Sequence, residues 1–256
     1  MIREALAQIQ LAFMLLTRLP AGLLPDPAPR IGAAAWAFPL AGLAVGLVAA
    51  LVFWGAVALG LPLALAALLA LGAQIVLCGA MHEDGLADLA DGLWGGQTPA
   101  RRLEIMRDSQ IGSYGVLTLI LSLGLRWQAL VYLGALDLLV ALQAIVLLAM
   151  LSRVAPVALL ALIPPARADG LGHSAQSASW RAVALASVIA LAPLVLMQEV
   201  PVLAVAMVLV VQIALVLGLA RLALRRLGGQ TGDVLGAGQQ LAEVTGYLVL
   251  SVALTA

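Results

Sequence analysis

The chain has 256 residues, 64% of them hydrophobic and only 10% charged, with a mean hydropathy of +1.11, whereas soluble domains carry about 25% charged residues. Thirteen acids balance 13 basic residues, all of them arginine, so no basic stripe for nucleic acid is present, and the apolar content excludes disorder. The single Cys78 excludes an intrachain disulfide, and a polytopic membrane protein is what these limits leave.

In chain order, the first apolar stretch, 5–17, is short and carries Gln8 and Gln10. A short N-terminal helix lying in the interface or entering partway is expected there. Runs near 31–54, 62–81, 114–134, 138–163, 182–198, 202–220 and 239–256 each approach the length that crosses a bilayer. Lipid cannot satisfy an open sheet edge and the runs lack barrel-type alternation, so they read as helices. The expected fold is all-α: a polytopic integral membrane helical bundle of about seven transmembrane helices in one membrane-embedded domain, 1–256. A short amphipathic helix is expected within the polar loop 82–113. Gly42 and Gly46, four apart in the first long run, suit close helix packing.

Alternating spans place 18–30, 82–113, 164–181 and 221–238 on one side of the membrane. Together with Arg153, near the end of its run, they hold Arg18, Arg30, Arg101, Arg102, Arg107, Arg167, Arg181, Arg221, Arg225 and Arg226, 11 of the 13 arginines. The opposite turns carry only Asp137 and Glu199 as charges. By the positive-inside rule the arginine-rich face is cytoplasmic. Arg126 is the exception inside a run, where it either meets a buried partner or marks a break.

The densest polar stretch is His82-Glu-Asp-Gly-Leu-Ala-Asp-Leu-Ala-Asp-Gly92. On a helix Asp84, Asp88 and Asp91 fall at i, i+4 and i+7 along one stripe, while Glu83 points about 100° away and is expected to be peripheral. Stacked carboxylates repel, more so at a membrane boundary where water is scarce, so the stripe calls for a cation. Oxygen donors favour Mg²⁺, Mn²⁺ or Ca²⁺ over Zn²⁺, and Mg²⁺ commonly completes its shell with water and substrate phosphates. His82 is a proton acceptor or a structural group at a helix end.

Thr98 and Pro99 open the short amphipathic helix. Arg107-Asp108-Ser109 behind it offers bidentate phosphate recognition and a further carboxylate. Arg153, a charge near the apolar layer, reads as functional. Arg167, Asp169 and His173 read equally as a linker or as a clamp on an anionic substrate. In the last polar loop Gly229, Thr231 and Gly232 leave backbone N–H groups at a helix start for phosphate, with Asp233 its sole acid.

Five segments carry a resemblance that runs in order over nearly the whole chain. They are Thr17-Arg-Leu-Pro20, His82 to Gly92, Arg107-Asp-Ser-Gln-Ile-Gly-Ser-Tyr-Gly115, Ala166-Arg-Ala-Asp-Gly-Leu-Gly172 and Gly229-Gln-Thr-Gly-Asp-Val-Leu-Gly-Ala237. Together they resemble the cobalamin synthase (adenosylcobinamide-GDP ribazoletransferase) family. The resemblance implies a multi-pass, Mg²⁺-dependent transferase of the bacterial cytoplasmic membrane, its active face cytoplasmic. It would join adenosylcobinamide-GDP to α-ribazole, or to its 5′-phosphate, and release GMP. By position, Asp84, Asp88 and Asp91 match the family's acidic motif, and Asp108 and Asp233 match acids in two others, which makes these five the expected metal ligands.

In the expected mechanism Asp84 or Asp88 takes the proton of the attacking hydroxyl, and Arg18, Arg107 and Arg153 offset phosphate charge. Ser109, Arg167, Gly229, Thr231 and Gly232 complete the expected substrate contacts. Two other classes fit less well. A CDP-alcohol phosphotransferase would carry an Ala-Arg pair soon after the first acid and a longer gap to the second pair. An ion-coupled transporter would place its acids at the midplane and repeat internally. The expected partners are the two substrates and the lipid bilayer, with no nucleic acid and with homo-oligomerisation open.

Overall fold

The computed structural model describes residues 2–167 and 178–255; Asp169 and His173 lie outside them. Among the described residues every regular element is helical. Helix α1 (Ile2–Leu16) leads through a polar loop to α2 (Ile31–Ala34), which a short 3-10 turn joins to α3 (Phe38–Ala58). Next come α4 (Leu63–Cys78) and α5 (Met81–Gly95), and between them Gly79 and Ala80 both take left-handed backbone, at φ +63° and +56°. That conformation costs a residue with a Cβ about 1–2 kcal/mol. It swings α5 by 88° from α4, so α5 runs across the bundle instead of continuing through it.

Thr98 opens α6 (Pro99–Ile105) by accepting the Arg101 N–H, as expected of an N-cap. Helix α7 (Ser113–Leu136) stops at Asp137, whose carboxylate accepts the Leu139 and Val140 N–H groups and so starts α8 (Leu138–Leu151). The chain continues with α9 (Val154–Leu162), α10 (Trp180–Leu191), α11 (Val202–Leu227) and α12 (Gly232–Ala253).

Among the described residues, four segments are long and apolar enough to cross a membrane: Ile31–Ala58, Ser113–Leu136, Leu138–Leu162 and Val202–Leu227. The other three expected spans take different forms. The run 62–81 is the 16-residue α4, which reaches spanning length only when joined to α5 across the bend. The run 182–198 is the 12-residue α10 and a 3-10 turn. The run 239–256 belongs to the longer α12, whose Gln239, Gln240 and Glu243 are buried inside the bundle. Hydropathy registers apolar length but not the bend at Gly79-Ala80 or the end of a helix within a run, so these runs differ from the four in length and continuity.

Close packing follows the small residues. Helix α3 crosses α8 so tightly that a Cβ on Gly42 would strike the Ala149 carbonyl and the Arg153 side chain, and one on Gly46 would strike Val146 and Ala149. The described parts of the four polar segments expected on one side do gather at one end. There the Arg18 N–H donates to the Leu77 carbonyl at 2.6 Å, Arg102 to the Arg226 carbonyl at 3.2 Å and Arg167 to the Leu103 carbonyl at 2.7 Å. Gln230 pairs with the 164–166 strand-like stretch through two 2.8 Å backbone hydrogen bonds.

The interior is held by a polar network. Arg126 of α7 is 1% exposed and donates to Gln74 of α4 at 2.7 Å, and to Gln240 and Glu243 of α12 at 2.9 and 3.1 Å. Glu83 of α5 stands 3.5 Å away and also accepts from Gln240 at 2.9 Å. Gln239 donates to Glu243 at 2.6 Å and to Ser152 at 2.9 Å. Arg126 therefore has its buried partner, and Glu83 is interior, not peripheral: pointing away from the acidic stripe turns it into the bundle.

Gly42→Leu is expected to lower the melting temperature of the detergent-purified protein, since overpacking costs about 1–3 kcal/mol. Gly55→Leu, where a Cβ meets open space, is expected not to lower it.

Candidate active site

The acidic stripe exists, but its three members face different surroundings. Asp84 is exposed, Asp88 half-buried and Asp91 buried. Asp91 accepts the Gly112 N–H through Oδ2 at 2.7 Å and the Gly115 N–H through Oδ1 at 2.9 Å. It caps the start of α7, and the glycines there leave room for its carboxylate, which a Cβ at either would strike. Seven helical residues carry Asp91 about 10 Å along the axis from Asp84, so it is a helix anchor rather than a ligand beside Asp84.

The second acid at Asp84 comes from the other end of the chain. Gly85 packs directly on the backbone of Asp233, where a Cβ would lie 3.0 Å from its Cα and its carbonyl oxygen. This contact brings the first turn of α12 against α5. Thr231 caps α12 by accepting the Val234 N–H at 3.3 Å and donates its hydroxyl proton to Asp233 Oδ2 at 3.1 Å. Asp84, Asp233 and Gly232 line one cavity of about 200 Å³, whose walls come from α1, α2, α3, α5, α9 and α12.

Charge is concentrated here. Burial pushes the Asp88 carboxyl up to about 7, with the like charges of Asp84, Asp233 and Asp91 adding to it and Arg167 opposing. Burial also raises Asp233, against the Thr231 hydrogen bond and Arg167, with Asp84 raising it further. Among the described residues no three His, Cys, Asp or Glu side chains form a ready-made metal cage. Two carboxylates on one cavity do fit a cation that keeps water and takes substrate oxygens, the habit of Mg²⁺.

The remaining expected site residues divide. Arg167 is close enough to Asp88 and Asp233 to stabilise both carboxylates. Arg18 is exposed and lies over Gly79, where a Cβ would strike its guanidinium. Arg107, Asp108 and Ser109 are all exposed and none lines the cavity; Asp108 Oδ1 accepts the Gln110 N–H at 3.1 Å within its own turn. Asp108 is thus a turn residue here and not a companion of Asp84. Gly229 packs on Pro164 and Ala166, leaving its loop paired with that segment.

Arg153 departs furthest from expectation. It is 2% exposed, donating to the Ala149 carbonyl at 2.5 Å and to Cys78 Sγ at 3.2 Å, and it does not line the cavity. The break between α8 and α9 falls at Ser152 and Arg153 and turns the guanidinium into the bundle. The residues that sequence reasoning missed are Gln74, Gln239, Gln240 and Glu243 around Arg126, and the cavity position of His82. Their signal was polar side chains inside apolar runs, which rarely lack a partner or a role.

Fold and site define a class: a polytopic helical membrane protein in which carboxylates from two distant segments converge on a cavity at one end of the bundle. The chain matches the sequence model of the cobalamin-5-phosphate synthase family over residues 8–251 and belongs to that family. The adenosylcobinamide-GDP ribazoletransferase of Bradyrhizobium diazoefficiens is 47% identical over 249 residues, covering 97% of this chain and 94% of the relative. The proteins of that name from Mesorhizobium japonicum and Xanthobacter autotrophicus are 42% and 49% identical, over 99% and 88% of this chain and 96% and 88% of theirs. No solved structure matches the chain.

Arg126→Met leaves Glu83 and Glu243 buried without their cation, and a loss of about 3–5 kcal/mol is expected in denaturant or thermal unfolding. For Asp88 the folded value near 7 lies above the unfolded value of about 4. The stability its neutral form contributes is therefore present at low pH and lost as pH rises through 7. In metal-free protein the melting temperature of Asp88→Asn, relative to wild type, is expected to climb from pH 4 to pH 7 and to level off above.

Proposed function

We propose that this protein is an adenosylcobinamide-GDP ribazoletransferase of a bacterial cytoplasmic membrane, with its acidic cavity on the cytoplasmic side. The names of its relatives support the reaction, and the arginine-rich end supports the side. One observation carries the mechanism: Asp84 of α5 and Asp233 of α12 line a single cavity, with Asp88 one turn away.

In the proposed reaction a ribose hydroxyl of α-ribazole, or of its 5′-phosphate, attacks the phosphorus next to cobinamide. A P–O bond forms to that hydroxyl oxygen. The P–O bond of the diphosphate bridge breaks, and GMP leaves with the bonding electrons. Asp88, half-buried one turn from Asp84 on α5, takes the hydroxyl proton. Asp84 and Asp233 would hold Mg²⁺, which when bound offsets charge on the diphosphate and the departing phosphate. Arg167, beside both Asp88 and Asp233, binds phosphate oxygens, and the exposed Arg18 and Arg107 meet the polar periphery of the large donor substrate. A membrane-face site lets the corrin stay in water while the reacting phosphorus enters the cavity mouth.

The test uses purified protein in nanodiscs. GMP release from adenosylcobinamide-GDP is expected only with α-ribazole or its phosphate and with Mg²⁺ present. EDTA stops it and excess Mg²⁺ restores it. Asp84→Asn is expected to lower the rate at least about 10²-fold with an unchanged melting temperature. Full activity in that variant, or activity that ignores chelation, sinks the assignment.

A further inference from the structure

On the opposite face of α9 from the acidic cavity lies a second depression, of about 520 Å³, between α9, α10 and α11. Pro156 and Leu160 of α9 line the cavity, whereas Ala155, Ala158 and Leu162 line this groove. Its floor is bundle interior: Leu151, Ala155, Gln212 and Val216 are all buried. Ser187 and Gln212 in its walls donate to the Val183 and Ala242 carbonyls, both at 2.9 Å, which leaves mainly carbon for an occupant.

The groove has a polar end and an apolar end. Leu162, Trp180 and Leu217 stand at the arginine-rich end of the bundle. There α9 leads into the segment paired with Gln230, and the Arg226 carbonyl of α11 accepts from Arg102. Leu151, Leu191 and Leu209 mark the deeper end. Along α10, Trp180 and Leu191 are about 16 Å apart, which is half of a hydrocarbon core about 30 Å thick. Arg181 follows Trp180, and Arg221 comes one turn beyond Leu217. Both arginines are exposed, and neither forms an ion pair with a described residue.

We infer that this groove seats one acyl chain of an anionic phospholipid from the leaflet on the arginine-rich side. Arg181 and Arg221 bind its phosphate, and Trp180 lies at headgroup level, where tryptophan is favoured. Length and charge agree on this occupant: the groove is one leaflet deep, and its only charged end is cationic. Both substrates of the transfer reaction carry polar groups that these walls would leave unpaired. A second copy docking by the same face would bring arginines against arginines. The site shares no lining residue with the acidic cavity and does not depend on the transfer reaction. Another apolar depression, of about 720 Å³ and lined in part by Trp54, provides a contrast. It has Glu199 at its edge instead of an arginine, with the Glu199 N–H donating to Gln143 in its wall at 3.2 Å.

The test uses the full chain in phosphatidylcholine nanodiscs that contain a minor share of phosphatidylglycerol with chains brominated near the ester. Bromine quenches a tryptophan it touches, and subtracting the signal of Trp180→Phe isolates Trp180. Brominated phosphatidylglycerol is expected to quench Trp180 at a mole fraction at least about fivefold below that needed with brominated phosphatidylcholine. Trp54, isolated in the same way with Trp54→Phe, is expected to show no such preference. The double variant Arg181→Gln, Arg221→Gln is expected to bring the two lipids level while quenching persists. Ala158→Phe fills the groove from α9 and is expected to weaken quenching by both lipids. Val183→Phe does so from α10 should the first variant fail to fold. Equal quenching of wild-type Trp180 by the two lipids, the behaviour of ordinary boundary lipid, overturns the inference. So does an equal preference at Trp54, or one that survives loss of both arginines. Absence of quenching by either lipid also overturns it, since the groove is then covered by another stretch of the chain or by a second copy.

Discussion

A guanidinium buried inside a helical membrane bundle has no water to solvate it, so its charge must be met by side chains brought in from neighbouring helices. Arg126 is in that position, and its partners come from α4, α5 and α12, three elements far apart in sequence. Two buried acids, Glu83 and Glu243, pair with Arg126, while the buried Arg153 donates to the Ala149 carbonyl and Cys78 Sγ. Such a network contributes little net stability compared with well-packed apolar side chains, but removing one member strands the others. Its effect is to permit one arrangement of four helices and to penalise the alternatives.

That arrangement positions the acidic cavity. Glu83 faces inward to Arg126, and its neighbour Asp84 faces outward on the same turn of α5. Gln240 and Glu243 hold α12 from within, while two turns earlier Asp233 meets Gly85. Asp91 secures the far end of α5 by capping α7. Helix α5 is thus fixed at both ends and in the middle, despite starting from a bend whose Ala80 sits in strained left-handed backbone. Like charges can be held close at Asp84, Asp88 and Asp233 because the restraints lie behind them and do not depend on them.

Much of the local structure was legible in the sequence. Thr98-Pro99 began a helix, the aspartates at 84, 88 and 91 shared a stripe, and the arginine-rich segments gathered at one end. Each depends on spacing or composition within a short window. What was not legible required knowledge of what lies opposite. Asp91 and Asp84 are alike in sequence, yet two glycine N–H groups meet one and a cavity meets the other. Arg153 and Arg167 both flank apolar runs, yet a helix break turns one inward and leaves the other beside the carboxylates. Of three further apolar runs, one bends at Gly79-Ala80, one forms a 12-residue helix and one carries a buried polar face, features that hydropathy alone does not register.

The equal counts of 13 acids and 13 arginines conceal two separate balances. By itself the sequence determined a helical membrane protein, the family to which it belongs, and the face on which its arginines lie, since hydropathy, motif order and charge bias are properties of the chain read in one dimension. Only the tertiary structure decided which acids share a cavity and which serve as caps, and which arginines are buried counter-ions. Those roles depend on distances between segments as far apart as Glu83 and Glu243, and a buried charge acquires its function from whatever the fold places within hydrogen-bond reach.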